Sequence, residues 1–319
     1  MVFFITASLF VEFECKHVYQ NTTWTRLEYK LGNVPEPWYL VLIIWGNQYS
    51  DENCNQLISS AYKHSSSCAG VVVLTDRMDR KIDKRATLQL IPTDFNRPEM
   101  KQAGYPIKIC LFDIECIPHN ALCFYLDLDS VLIADPTPVL SLIDKAKLWT
   151  IDVFPRRFSA FRRFLNHISK GKKYVPGNSS AFLYRNGFVG NPTAQYRKLL
   201  ASGRTPADLG SDDRFIGWSC QQILRGFPTD LIAYFRIEFL APTKWLAYCK
   251  AKMRNKDRKS LVVITFAGAR TKLTELTERD EGELIIDHHN RVGYWNPIYT
   301  SGVSERIEKE VFSTLKSDR

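Results

Sequence analysis

The sequence predicts an α/β fold with a mixed central sheet flanked by helices. Three features carry that prediction. WYLVLIIW (38–45) and AGVVVLTD (69–76) are unbroken apolar runs, as strands buried on both faces require. The segment between them has a helical apolar face. A third apolar run, CFYLDLD (123–129), ends in two carboxylates, Asp127 and Asp129.

The elements follow in order. Residues 1–37 read as a strand-rich extension closed by Pro35 and Pro37. After the first core strand, Ser50 or Asp51 caps a helix to about residue 63, with Cys54, Leu57, Ile58 and Tyr62 on one face. The second strand ends at Asp76 and completes a β-α-β unit. Residues 77–104 are polar and show no strong period beyond LQLIP. IKICLFDI after Pro106 reads as a short helix, CFYLDLD as a central strand and DPTPVLSLIDKA as a helix with Pro136 in its first turn. LWTIDVF, ending near Asp152, and SSAFLYRNG read as strands. PTAQYRKLLASG and SDDRFIGWSCQQILRG read as helices closed by glycine, and DLIAYFRIEFL and SLVVITFAG as later strands. The main domain is expected over 38–275, followed by a charged tail, 276–319, with a helix in ERIEKEVFSTLK.

At 319 residues the chain is long enough for one large domain with a substantial core. Its 43 basic and 34 acidic residues give a net charge of +9, concentrated in segment 156–173 and in KAKMRNKDRK (250–259). The acidic residue inside the second cluster and the lack of repeats argue against a dedicated nucleic-acid arm. Contact with an anionic substrate or a membrane surface stays open. Eight cysteines form no CxxC pair, and Cys110 and Cys123 lie within apolar runs, which suits a reducing compartment. No apolar run approaches the ~20 residues of a membrane span. A cytoplasmic location is therefore expected.

Two carboxylates at a strand end repel each other, so a positive group or a shared proton belongs between them. A divalent metal, a Lys or an Arg would serve. A strand ending in Asp-x-Asp has two chemical uses. In one, both carboxylates hold Mg²⁺ or Mn²⁺ against a nucleotide diphosphate. In the other, the first Asp is a phosphorylated nucleophile, as in haloacid-dehalogenase-type phosphatases. That phosphatase motif closes the first strand of its domain, whereas here a whole β-α-β unit precedes it.

From residue 38 to about 273 the chain resembles GT-A-fold glycosyltransferases, nearest to the glycogenin-like family 8 and related bacterial polysaccharide transferases. The resemblance implies a Rossmann-like mixed sheet. It also implies transfer of a sugar, hexosyl or pentosyl, from a nucleoside diphosphate sugar (a UDP-sugar favoured) to a glycan or glycosylated acceptor. LIIWGNQYS supplies Asn47 and Tyr49 beside the nucleoside, and VVVLTD supplies Thr75 and Asp76. YPIKICLFD brings Lys108 to the donor. FYLDLD provides Asp127 and Asp129 as ligands of Mn²⁺ or Mg²⁺ and Leu128 as a backbone contact. Asp152 and Asn178 face the donor, and SDDRFIGW supplies Asp212, with Asp213 where the family has Gln. VVITFAGARTKL retains Gly268 and Lys272. Ala267, however, is read in place of the family's metal-binding His, so His288 or its neighbour His289 is the candidate to complete the shell. The resemblance implies retention of anomeric configuration; inversion would use Asp212 or Asp213 as a general base. A phosphatase, or a catalytically silent nucleotide-binding scaffold, is the alternative.

Overall fold

The computed structural model describes residues 36–101, 106–145, 147–151, 168, 177–235, 239–244, 260–266, 283–286, 290 and 292–294. Apart from Glu36 and Pro37, the expected extension lies outside them. So do Asp152, nearly all of the basic segment 156–173, the 250–259 cluster, Ala267, Gly268, Lys272, His288, His289 and the terminal helix.

The first half of the chain lays down β1 (Trp38–Ile44), α1 (Asp51–His64), β2 (Cys68–Thr75), β3 (Ala86–Leu90), β4 (Leu122–Leu126) and β5 (Ser130–Leu132). Next come α2 (Thr137–Leu140), β6 (Leu148–Ile151), β7 (Asn178–Arg185), α3 (Pro192–Ala201), α4 (Pro206–Leu209) and α5 (Asp212–Ser219). Five short strands follow: β8 (Leu224–Gly226), β9 (Ile232–Tyr234), β10 (Val263–Thr265), β11 (Leu284–Ile286) and β12 (Val292–Tyr294). The main sheet has seven strands in the order β3-β2-β1-β4-β7-β6-β8. β1 runs parallel to β2 and β4, and β2 parallel to β3, while β7 is antiparallel to both β4 and β6. This is the Rossmann-like mixed α/β sheet that the resemblance implied.

The apolar runs fill both faces of that sheet. Trp38, Leu40, Leu42 and Ile44 join the cluster under α1, and Val41 and Ile43 join the opposite one. This is the period-2 alternation of a strand buried on both sides. On the second face, a seven-residue 3-10 helix, Pro106–Phe112, is buried along its whole length. Its Phe112 ring packs 5.1 Å from Phe182 and 4.9 Å from Tyr184. α1 opens on Ser50, whose backbone N–H donates to Asn53 Oδ1 at 3.0 Å. Its acidic first turn and basic last turn complement the helix dipole.

Four elements differ from the sequence expectation. The polar stretch after Asp76 contains β3, an edge strand whose half-exposed side chains leave no apolar run to detect. DPTPVLSLIDKA breaks into α2 and a 3-10 turn, Ser141–Lys145. The helix expected to continue to Gly226 stops at Ser219, and Leu224–Gly226 instead pairs parallel with β6. Directly after the carboxylates, Ser130–Leu132 forms β5, antiparallel to β10 in a separate three-stranded sheet, β5-β10-β9.

Candidate functional site

The chain leaves β1 toward β2 and β3 on one side, then returns to place β4 on β1's other side. A crevice forms where strand order reverses in this way, outside the carboxyl ends of the strands, and ligands of open α/β sheets bind there. The loop after β1 carries Asn47 and Tyr49; the end of β4 carries Asp127 and Asp129. Residues Asp127–Ser130 form a tight turn closed by Ser130 N–H to Asp127 O at 3.0 Å. Asp127 N–H donates to Ser180 O of β7 at 2.9 Å, which ties the turn to the neighbouring strand.

The positive group between the carboxylates is a lysine. Lys108, brought in by the buried 3-10 helix, places Nζ 2.7 Å from Asp127 Oδ2. The Tyr125 hydroxyl donates to Asp127 Oδ1. Asp129 is 7% exposed and accepts from Tyr49 Oη at 3.3 Å through Oδ2. Its Oδ1 is buried with no hydrogen-bond partner among the described residues. Burial and the Asp127 charge together push the Asp129 carboxyl up to about 7.

A second carboxylate pair closes the far side. Asp212 and Asp213 open α5 and dock on the start of β7. Ser179 Oγ donates to Asp212 Oδ2 at 2.6 Å, and Ser179 N–H donates to Asp213 Oδ1 at 2.6 Å. Burial, reinforced by the Asp213 charge, raises Asp212 well above the carboxylate range; burial raises Asp213 as well. Burial alone would lower the Lys108 ammonium, but Asp127, Asp212 and Asp129 outweigh it and hold it above its ordinary value. One lysine thus serves four carboxyl groups, Asp129 and Asp212 buried and Asp127 and Asp213 partly so.

Thr75, Asp76 and Asn47 are engaged locally. Arg80, 7% exposed, donates from Nε to Thr75 Oγ1 at 2.8 Å and from Nη2 to Gly46 O at 2.9 Å and Asp76 Oδ1 at 3.1 Å. Its Nη1 reaches Asp51 Oδ1 at 3.1 Å, and Asp76 Oδ2 accepts from Gly46 N–H at 2.9 Å. Asn47 Oδ1 accepts from both terminal nitrogens of Arg77 at 3.2 Å. Leu128 is buried in the core cluster beneath α1, and Asn178 Oδ1 accepts from Ser180 N–H at 3.0 Å. The structure therefore brings Lys108, Tyr49, Asp127, Asp129, Asp212 and Asp213 into one site. It uses Thr75 and Asp76 to brace the loop that carries Tyr49.

The donor set suits a hard divalent cation: all acceptors are oxygens, and Asp129 Oδ1 is a buried carboxyl oxygen without a hydrogen-bond partner. No cluster of three His, Cys, Asp or Glu side chains suited to a metal occurs among the described residues. Sequence reasoning missed Arg80, Tyr125 and Ser179. Tyr125 was findable, since two residues before Asp127 on a strand lies on the same face.

The chain resembles solved glycosyltransferases. It is 13% identical to glycosyltransferase GlyE of Streptococcus pneumoniae TIGR4, with a TM-score of 0.45 over 75% of this chain and 56% of that one. The bifunctional glycosyltransferase WbbM gives 12% identity and a TM-score of 0.48, over 89% of this chain and 52% of WbbM. The galactosyltransferase LgtC, solved with donor and acceptor sugar analogues, gives 13% and 0.44, over 73% and 88%. The chain thus spans about half the length of GlyE and WbbM. No protein-family model matches the sequence, and no curated protein matches it. No helix among the described residues is long and apolar enough to cross a membrane.

Proposed function

We propose that this chain transfers a hexosyl or pentosyl group from a nucleoside diphosphate sugar, a UDP-sugar favoured, to a glycan or glycosylated acceptor. The observation that carries the reading is the buried Asp127–Lys108–Asp129 cluster at the point where strand order reverses, with one carboxylate oxygen unpartnered. Asp127 and Asp129 would hold Mn²⁺ or Mg²⁺, whose chemistry there would be to offset the charge of the leaving diphosphate. Lys108 fixes Asp127 and supplies fixed positive charge near the leaving group. Tyr49 positions Asp129, while the resemblance assigns Asn47 and the Leu128 backbone to the nucleoside. By the resemblance, Asn178 and Asp152 are assigned to the donor sugar, and Gly268 and Lys272 to the diphosphate. Asp212, whose burial raises its basicity toward neutrality, orients sugar hydroxyls or takes the acceptor proton, with Asp213 as its partner.

The test is thermal stabilisation by a panel of nucleoside diphosphates with and without Mn²⁺. Ligand at a hundred times its Kd stabilises by about 2.7 kcal/mol. The expected result is a shift with one nucleoside diphosphate, largest with the cation present. No shift with any of them at millimolar concentration overturns the reading. Accumulation of an aspartyl-phosphate on Asp127 favours the phosphatase instead.

A further inference from the structure

The strand at one edge of the main sheet, β3, plays no part in the site described above. Ile91 N–H donates to Thr75 O at 2.8 Å, and Thr75 lies in register with Leu90, which fixes the direction of every β3 backbone group. The N–H and C=O of one strand residue face the same side, and successive residues alternate. Thr87, Gln89 and Ile91 therefore bond to β2, while Ala86, Leu88 and Leu90 face outward. Ala86 N–H is taken up by Asp83 O at 2.9 Å. The N–H groups of Leu88 and Leu90 and the carbonyls of Ala86 and Leu88 have no partner among the described residues.

Sheet edges are ordinarily protected by a charge, a proline or a bulge. ATLQL contains neither charge nor proline, and its register with β2 is unbroken. A groove of about 400 Å³ lies against it, walled by Met78, Leu88, Leu90, Pro92 and Glu115. Met78 and Leu90 are 53% and 51% exposed, large for apolar side chains.

The occupant that fits this edge is the same strand of a second copy. Antiparallel pairing about a two-fold axis at Leu88 sets Leu88 opposite Leu88 and Leu90 opposite Ala86. Leu88 N–H then donates to the other copy's Leu88 O, and Leu90 N–H to its Ala86 O, each bond made twice. Ala86, Leu88 and Leu90 share one face, so the exposed Leu90 lands beside the small Ala86. On the other face Thr87 meets Gln89, whose Oε1 accepts from Cys116 N–H at 3.3 Å and whose amide N–H groups point to no printed acceptor. Charge is complementary as well. Lys84 falls opposite the other copy's Pro92, which shares its groove with Glu115. Both Lys84 and Glu115 are exposed and form no ion pair among the described residues.

We propose that this chain forms a two-fold dimer through β3, which joins two seven-stranded sheets into one. β2 and β1 separate β3 from β4 and its carboxylates, so the dimer is independent of the function proposed above.

The test is sedimentation equilibrium of the full chain from low to high micromolar concentration. The mass should rise from the 36.8 kDa of one chain toward twice that value. Leu90→Pro removes an outward N–H and none that bonds to β2, and should weaken association at least ten-fold. Lys84→Glu and Glu115→Lys should each weaken it by about three-fold or more, and the double reversal should restore wild-type association. Melting curves check that every variant is folded. A monomer at all concentrations overturns the proposal. A dimer indifferent to Leu90→Pro uses another face and overturns it too, and failure of the double reversal to restore association overturns the antiparallel register.

Discussion

Replacing Arg80 by Ala is expected to cost about 3–5 kcal/mol of stability, because a buried charge network loses its central partner. The Arg80 side chain is 1% exposed and joins the end of β2 to the loop after β1 and the first turn of α1. Its removal takes a donor from Thr75 Oγ1 and Gly46 O and the shared cation from two carboxylates, Asp51 and Asp76, at once. Burial pushes Asp76 up, but the Gly46 N–H and the Arg80 guanidinium more than offset it and hold the carboxyl below its ordinary value. Asp51 behaves alike: the Lys81 N–H and Arg80 outweigh burial. Depressed carboxylates contribute stability above their unfolded pKa of about 4, lost as pH falls through the folded value. The Arg80→Ala penalty should therefore shrink in acid. At about 2–4 °C per kcal/mol, calorimetry near neutral pH should show a drop of roughly 10 °C. Arg80→Lys should recover only part of it, since an ammonium cannot reproduce the fork of contacts. A loss under 1 kcal/mol would show that the brace is not structural.

Lys108→Met should have a comparable effect with the opposite pH dependence. The variant leaves Asp127, Asp129, Asp212 and Asp213 without the ammonium they share. The carboxyl pKa values of Asp129, Asp212 and Asp213, already raised by burial, rise further once the ammonium that lowers them is gone. A carboxyl raised on folding contributes stability that is complete below its unfolded pKa of about 4 and is lost as pH climbs through the folded value. The gap between wild type and Lys108→Met should thus widen from pH 5 to pH 8, reaching about 3–5 kcal/mol. Parallel melting curves across that range would show that Lys108 does not compensate the cluster.

Much of this site was legible because its residues contradict their surroundings. Asp127 and Asp129 end an apolar run, and Lys108 interrupts another, PIKICLF, so burial obliges each charge to find a partner. The strands of the β-α-β unit were legible for the same reason: a two-faced strand must be apolar throughout. β3 escaped because an edge strand needs no such run. β5 and β8 escaped because three residues carry no period, and only partners far along the chain fix them as strands. Arg80 and Ser179 are ordinary polar residues in sequence. Their roles come from burial, which only the assembled sheet reveals.

The central claim is that the Asp127–Lys108–Asp129 cluster binds a nucleoside diphosphate sugar for transfer. It is tested most directly by release of nucleoside diphosphate from a panel of sugar nucleotides, comparing wild type with Asp129→Asn. Wild type should hydrolyse one donor slowly in the presence of Mg²⁺ or Mn²⁺, while a folded Asp129→Asn protein should lose at least a hundred-fold of that rate, about 2.7 kcal/mol of barrier. Equal rates in the two proteins would contradict the account.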